Sequence, residues 1–353
     1  MTLAELLIAA KGGEATIENL VITNLHAIGE DFTGAIFQNV TFNSCSFDHC
    51  DLREIKALEC QFTNTEFINC DLRNAAFLQA STEKLRFSDC NMRKFNTVDA
   101  HFAGAAIVRC EISDCGWINI NLENANLSES KLEAIAFTNA NLRGANFSAA
   151  KISRIVFFEA DLRGIALERS EFDTVMFNDA QCQGLNFSTA ATSVLQFQGA
   201  NLTDANFSDR DLSGCGFHSS LLRNVNLQNC NLSQACFIEA TLDGVNAQNC
   251  KGRQVLMHRA SLKNCSFIGM LADESNFSNA TIHQCDFSGS NFMHADFCHS
   301  TISESLFVRC ELFLARAHEM TEHDVVWDLS NRDTMSGTDI KRKKAEDFQV
   351  ATP

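Results

Sequence analysis

Residues 140–149 read Ala140-Asn141-Leu142-Arg143-Gly144-Ala145-Asn146-Phe147-Ser148-Ala149, and one rule generates both halves. A small residue opens each group of five, a large apolar residue stands third, and the remaining places are mostly polar. Stepping by five in both directions from Phe147 reaches 60 such centres between Ile17 and Leu312, without an insertion or a deletion. Fifty-one of them are Phe, Leu, Ile, Met or Trp; the exceptions are Ala27, Ala57, Thr82, Thr97, Cys182, Thr192, Ala247, Gly252 and Ala272. Of the 29 Phe, 25 sit at centres, so the aromatic content of the chain is almost wholly spent on this pattern.

A period of five fits neither a helix nor a plain strand. It is satisfied when three residues run extended, small-in, polar-out and large-in, and the next two turn a corner with their side chains outward. Four such bends close a square coil of 20 residues, and stacked coils pair through parallel, in-register backbone about 4.8 Å apart. The centres, sorted into four columns stepping by 20, support the number four. The column of Ile17, Phe37 and Phe297 has 10 Phe in 15 places, and the column two faces away, from Ala27 to Phe307, has nine. The two columns between them, through Leu122 and Leu132, have three each and are mainly Leu or Ile. Large rings on one axis and smaller groups on the other fill a square interior without voids. Sixty repeats give 15 coils and a rod of roughly 70 Å at that spacing. The columns name four faces: face 1 through Phe37, face 2 through Phe42, face 3 through Phe47 and face 4 through Leu52.

The pattern resembles that of the pentapeptide-repeat family, A(D/N)LXX, over about residues 15–317. The resemblance implies an all-β fold, a right-handed quadrilateral parallel β-helix of about 15 coils with short terminal caps. It also implies three kinds of role found in the family. Some members mimic DNA and act on DNA gyrase, some are bacterial secretion-system effectors or adaptors, and others are binding scaffolds.

The ends depart from the repeat. Residues 1–14 hold an N-terminal cap helix over 2–11, with Thr2 and Glu5 as a capping box, Gly12-Gly13 as a stop, and Leu3, Leu6, Leu7 and Ala10 on one face. Residues 318–353 form a C-terminal segment. There Met320, Val325, Val326, Trp327 and Leu329 are expected to close the coil, and the polar run from Ser330, with Lys341-Arg342-Lys343-Lys344, to be a solvated tail.

Composition narrows the function. A net charge of −16 opposes non-specific nucleic-acid binding and anionic membranes. DNA mimicry is a weaker match than it first looks. Duplex DNA carries about one charge per 1.7 Å, so a rod of this length needs about 40. Residues 1–312 carry 36 acidic and 22 basic side chains, and Arg53, Arg73 and Arg93 run beside Asp31, Asp51 and Asp71. The first residues have no basic region, Glu5 interrupts the apolar stretch, and no run approaches a membrane span, so a cytoplasmic protein is expected.

Thirteen of the 16 Cys occupy the inward small position, with Cys50, Cys70, Cys90 and Cys110 in one column. A row of parallel thiols is not a tetrahedron, so they read as small hydrophobes in a reducing compartment. The histidines, His26, His49, His101, His218, His258, His283, His294, His299, His318 and His323, fall at outward places or in the tail, and none keeps a catalytic spacing. No enzyme activity, metal or cofactor is expected. Glu30 and Arg210 stand at inward positions where charge is costly, which predicts a local bulge or an outward swing at Arg210.

One face stands out. Beside the centres of face 1, at places that point to solvent, stand Ile36, Leu58, Leu78, Val98, Ile118, Val156, Phe158, Met176, Ile238 and Leu256. Face 2 has only Val21 and Leu221 at the same places. An apolar stripe of this kind marks a candidate interface with a protein partner or a second copy of the chain.

Overall fold

A computed structural model describes residues 3–11 and 16–348. They form two compact units, Met1–Leu195 and Gln196–Pro353. Each is a stack of square coils in which a residue pairs in parallel with the residue 20 further on, as in Ile36↔Lys56 and Thr241↔Ser261. This is the quadrilateral parallel β-helix that the spacing predicts.

In the first unit, face 1 is a continuous sheet of three-residue strands from Thr16–Glu18 through Ala76–Leu78 to Val156–Phe158, followed by Val175–Met176. Faces 2 and 3 carry strands only in the early coils, and face 4 only from Glu111–Ser113 onward. The second unit has one six-stranded sheet, on face 2, from Leu221–Arg223 to Thr321–His323. Elsewhere the coils are joined by single parallel bridges such as Asn206↔Asn226.

The corners explain why the polar places are not interchangeable. The second residue after nearly every centre has φ between +46° (Asn64) and +73° (Gly34), and the series runs on past the last centre to Leu329 (62°). Asn, Asp and Gly dominate this place because they enter the left-handed region most easily. Where the chain makes a full turn, the amide three residues after a centre closes it, as in Ala145 N to Leu142 O at 3.0 Å. Where a strand runs through the centre's successor instead, the bend falls on the left-handed residue alone. The predicted two-residue corner is thus one of two forms.

The left-handed series skips Thr189 and Val194. The third β-branched residue at this place, Thr174, does adopt φ 55°, but branching at Cβ makes positive φ most costly, and here two such residues follow one another at successive corners. The coil there is irregular, with two-residue strands at Ala191–Thr192 and Leu195–Gln196, and the first unit ends at Leu195. The unbroken sequence register therefore does not carry an unbroken backbone conformation.

The interior is dry and aromatic. Rings in successive coils stack at nearly the coil pitch: Phe47 on Phe67 at 5.0 Å, Phe67 on Phe87 at 4.9 Å, and Phe267 on Phe287 at 4.9 Å. Rings on adjacent faces meet edge to face, as Phe287 and Phe292 do at 69°. Thr97 is a small centre for a reason. Phe95, two residues earlier at a place that should be small, is fully buried and fills the space, touching Phe77 at 5.0 Å. The exchange costs one ladder bond: Gly116 N donates to Asn96 Oδ1 at 2.8 Å, and the backbone pairing resumes at Thr97↔Trp117. Trp117 Nε1 then donates to Phe95 O at 2.9 Å.

At the N-terminus residues Leu3–Lys11 form a helix, α1, within the span expected for a cap, with Leu6 and Ala10 buried and Ile8 exposed. The first-coil centres Ile17, Ile22 and Ala27 are buried although no coil precedes them. Thr2 and Gly12-Gly13 lie outside the described residues.

At the other end the coil continues further than the sequence suggests, to a bridge between Arg316 and Ser336. Trp327 stacks on Phe307 at 4.5 Å, and Arg332 lies 5.2 Å over its ring. Val326 and Leu329 are exposed and close nothing. The run expected as a solvated tail instead forms α2 (Ile340–Glu346), with Asp339 as N-cap. Nor is there a bulge at Arg210: its carbonyl accepts Asn231 N at 3.0 Å, its amide donates to Phe207 O at 3.1 Å, and the side chain is half-buried.

Two substitutions test the exchange at coil 95–97. Phe95→Ala is expected to cost about 3–5 kcal/mol, as for a buried ring. Thr97→Val is expected to stabilise by about 1 kcal/mol, because the buried Thr97 Oγ1 lacks a hydrogen-bond partner. Urea midpoints followed by circular dichroism read both.

Candidate binding face

Parallel pairing turns the stripe of the first unit into ordered ranks. After the centres, Leu58, Leu78, Val98 and Ile118 pair in succession, and Thr138 links Ile118 to Phe158. Neighbours in such a rank are about 4.8 Å apart. Before the centres the rank is lower: Ala76, Asn96, Gly116 and Ala136, flanked by Ile36 and Lys56 on one side and Val156 and Met176 on the other. The surface is a ridge of branched side chains beside a shelf of small ones.

Exposure is graded along it. Ile118 (41%), Phe158 (39%) and Met176 (41%) are exposed, whereas Ile36, Leu58, Leu78, Val98 and Val156 are half-buried by their neighbours in the rank. In the second unit Leu256 is exposed and Ile238 half-buried. These two residues belong to a separate, shorter patch.

Face 4 is chemically different. Arg53 grips Asp51 in a two-pronged pair at 2.6 Å, and Arg73 holds Asp71 in the same way; the same pair recurs on face 2 between Arg163 and Asp161. A polar cleft lined by Arg93, Asp114, Lys131, Glu133 and Arg154 has its charges paired internally, Arg93 with Asp114 at 3.0 Å and Lys131 with Glu133 at 2.9 Å. Its cations are already spent on its own acids.

Comparison with known proteins places this geometry. The profile described as "Pentapeptide repeat region" matches residues 40–117, 110–187 and 130–207, and "Pentapeptide repeats (8 copies)" matches 22–54, 200–237 and 275–312. The chain belongs to the pentapeptide-repeat family. A comparison with curated proteins found no match. Among solved structures, QnrB1, a plasmid-mediated fluoroquinolone resistance protein, is 17% identical over 60% of this chain and 94% of its own, with a TM-score of 0.34. HetL, from the cyanobacterium Nostoc sp. strain PCC 7120 and involved in heterocyst differentiation regulation, is 18% identical over 96% of this chain and 98% of its own, with a TM-score of 0.20. A pentapeptide-repeat protein of the Arabidopsis thaliana thylakoid lumen is 23% identical over 34% of this chain and 67% of its own, with a TM-score of 0.19.

In this pentapeptide-repeat chain the cysteines do more than fill space. All 16 are free thiols. Ten donate to the backbone carbonyl 23 residues earlier, at the centre of the coil below, as Cys70 does to Phe47 O (3.2 Å) and Cys230 to Phe207 O (3.0 Å). Ser130 and Ser290 make the same bond at 2.9 Å. A small side chain with a weak donor thus answers a carbonyl inside the corner. Burial pushes the thiols of Cys60 and Cys230 up to about 11 and those of Cys115 and Cys250 up to about 12, so they stay protonated and inert.

One cluster of titratable groups escaped the sequence reading: His299, His318 and Glu346. His318 is buried, although the sequence places it among outward or tail positions. Its Nε2 lies 3.1 Å from Glu346 Oε2, and His299 Nε2 lies 3.6 Å from the same oxygen. These spacings suit the edges of a tetrahedral metal site, but the protons do not. Asp339 N donates to His318 Nδ1 at 3.0 Å, so in the neutral ring the proton sits on Nε2 and points at Glu346. A metal-bound histidine donates from its second nitrogen, whereas this one accepts there. Arg342 also brings its charge to His299 Nε2 at 3.2 Å. The cluster is built to hold α2.

The acid response follows from the paired carboxylates. Side-chain hydrogen bonds from Arg53, Arg109 and Arg163 hold Asp51, Asp89 and Asp161 below the usual value of 3.8. Their contribution to stability is complete above that value and is lost as pH falls through the depressed folded values. In a variant with all three arginines changed to Gln, the urea midpoint should lie below the parent's at about pH 7. That gap should narrow as pH falls below about 3.8.

Proposed function

We propose that the protein is a non-catalytic, protein-binding scaffold that presents the apolar ridge of face 1 in its first unit to a partner protein. The observation that supports this most directly is the ridge itself: large apolar groups in the four consecutive coils from Leu58 to Ile118, standing beside a lower rank of Ala76, Asn96, Gly116 and Ala136. Strand propensity favours Val and Ile here. It does not account for Leu58, Leu78 and Met176. Nor does it call for the low shelf beside them. A rigid coil suits such a role, because little side-chain or backbone freedom is lost when the partner docks.

A second copy of the chain is the nearest competing occupant. DNA mimicry directed at gyrase is less favoured, because face 4 spends its carboxylates on arginines rather than leaving them as a run of free charge. A reducing, cytoplasmic setting belongs to the same proposal, supported by 16 unpaired thiols.

Ile118→Asp and Phe158→Asp, alone and together, test the face. Both side chains are exposed, so the fold should survive. Affinity for a captured partner, or self-association seen by light scattering, should fall by roughly thirtyfold or more for a central anchor. An unchanged mass together with an unchanged set of captured proteins removes the face as an interface.

A further inference from the structure

Helix α2 lies on face 1 of the second unit and is held there almost entirely by polar contacts. None of its residues is buried, and Ile340 and Phe348, the apolar groups at its ends, are 60% and 74% exposed. Arg342 reaches Glu346 Oε1 at 2.7 Å and Cys298 Sγ at 3.9 Å, and Lys343 pairs with Glu319. Thr338, just before the helix, accepts Glu319 N at 3.3 Å. His318 is gripped from both sides, by Asp339 N and Glu346. The four-residue run Lys341–Lys344 is thus divided: Arg342 and Lys343 face the coil, whereas Lys341 and Lys344 have no ion pair among the described residues.

These contacts set a low barrier to opening. A seven-residue helix is not stable by itself in water. Exposed ion pairs contribute about 0–1 kcal/mol each and weaken with salt. No residue of the helix is buried.

Beneath the helix, Cys298 is 3% and His318 4% exposed, although both stand at the outward place after a centre. In the same rank Ile238 and His258 are half-buried and the small Ser278 is 9% exposed, so Cys298 and His318 are the most covered members.

We propose that α2 is a reversible lid over the C-terminal end of face 1 in the second unit, latched by His318. Closed, it withholds Cys298 and His318 from solvent and from any partner; open, it extends the outward rank of Ile238, His258 and Ser278 by two members. Only the consequence for a partner rests on the binding reading above. The lid stands or falls without it.

Cys298 supplies the readout. Thirteen cysteines are inward and Cys182 is a buried centre, so in the folded chain only Cys236 and Cys298 stand at outward places. The full chain is treated with a maleimide near neutral pH, and labelling is followed peptide by peptide by mass spectrometry. In the unaltered protein Cys236 should react first and Cys298 lag about tenfold or more. Glu346→Gln and His318→Ala should each raise the Cys298 rate several-fold, as should about 1 M NaCl, while the inward thiols stay unlabelled and so report an intact coil. Ile340→Asp, on the exposed side, should change nothing. The lid is overturned if Cys298 reacts as fast as Cys236 in the unaltered chain, or if Glu346→Gln and high salt leave its rate unchanged. Glu346 is on the exposed helix, so that variant keeps the test alive even if His318→Ala disturbs folding.

Discussion

Nearly every fifth residue of the coils holds its backbone in the left-handed region. Four such corners per coil bring residue n beneath residue n + 20, and everything else depends on that superposition: the parallel ladders, the ring stacks, and the ranks of like side chains on each face. The constraint also limits itself. It is cheap for Asn, Asp and Gly, tolerable for long unbranched side chains, and costly for β-branched ones. Where Thr189 and Val194 meet it within one coil, both leave the left-handed region, and the first compact unit ends one residue later.

Much of the fold was legible because its signal is repeated. Phe137, Phe157 and Phe177 announce an inward column, and in the structure they stack at 5.0 and 5.3 Å. The face 1 stripe was legible for the same reason: alignment by 20 places Leu58, Leu78, Val98 and Ile118 side by side. What escaped the pattern was local or singular. Phe95 and Thr97 exchange volumes within one quintet, which a position-by-position rule counts as one failure and one exception. The irregular coil before Leu195 was hidden because attention to spacing ignores branching at the corner. The docking of α2 rests on His318, Asp339 and Glu346, which share no period, so no repeat could reveal it.

The faces divide chemical labour. Face 4 in the first unit is a self-neutralised surface of Asp–Arg pairs, well hydrated and poor in unsatisfied charge. Face 1 of the same unit is continuous strand with an apolar ridge. The thiols serve the interior, where a weak donor of small volume satisfies a carbonyl without demanding a second partner. Cysteine and serine alternate in that role, which accounts for a high cysteine content without disulfides.

Core and surface repeat at different intervals, and this has an evolutionary consequence. A deletion of five residues would keep every later centre pointing inward, so the chain could still fold. All that follows, however, would shift by about a quarter turn, and an apolar ridge would continue on the neighbouring face. Only gain or loss of a whole coil preserves both the packing and the recognition surface. Natural variation in the length of such a protein should therefore be quantised in steps of twenty wherever a face is under selection, and in steps of five where none is.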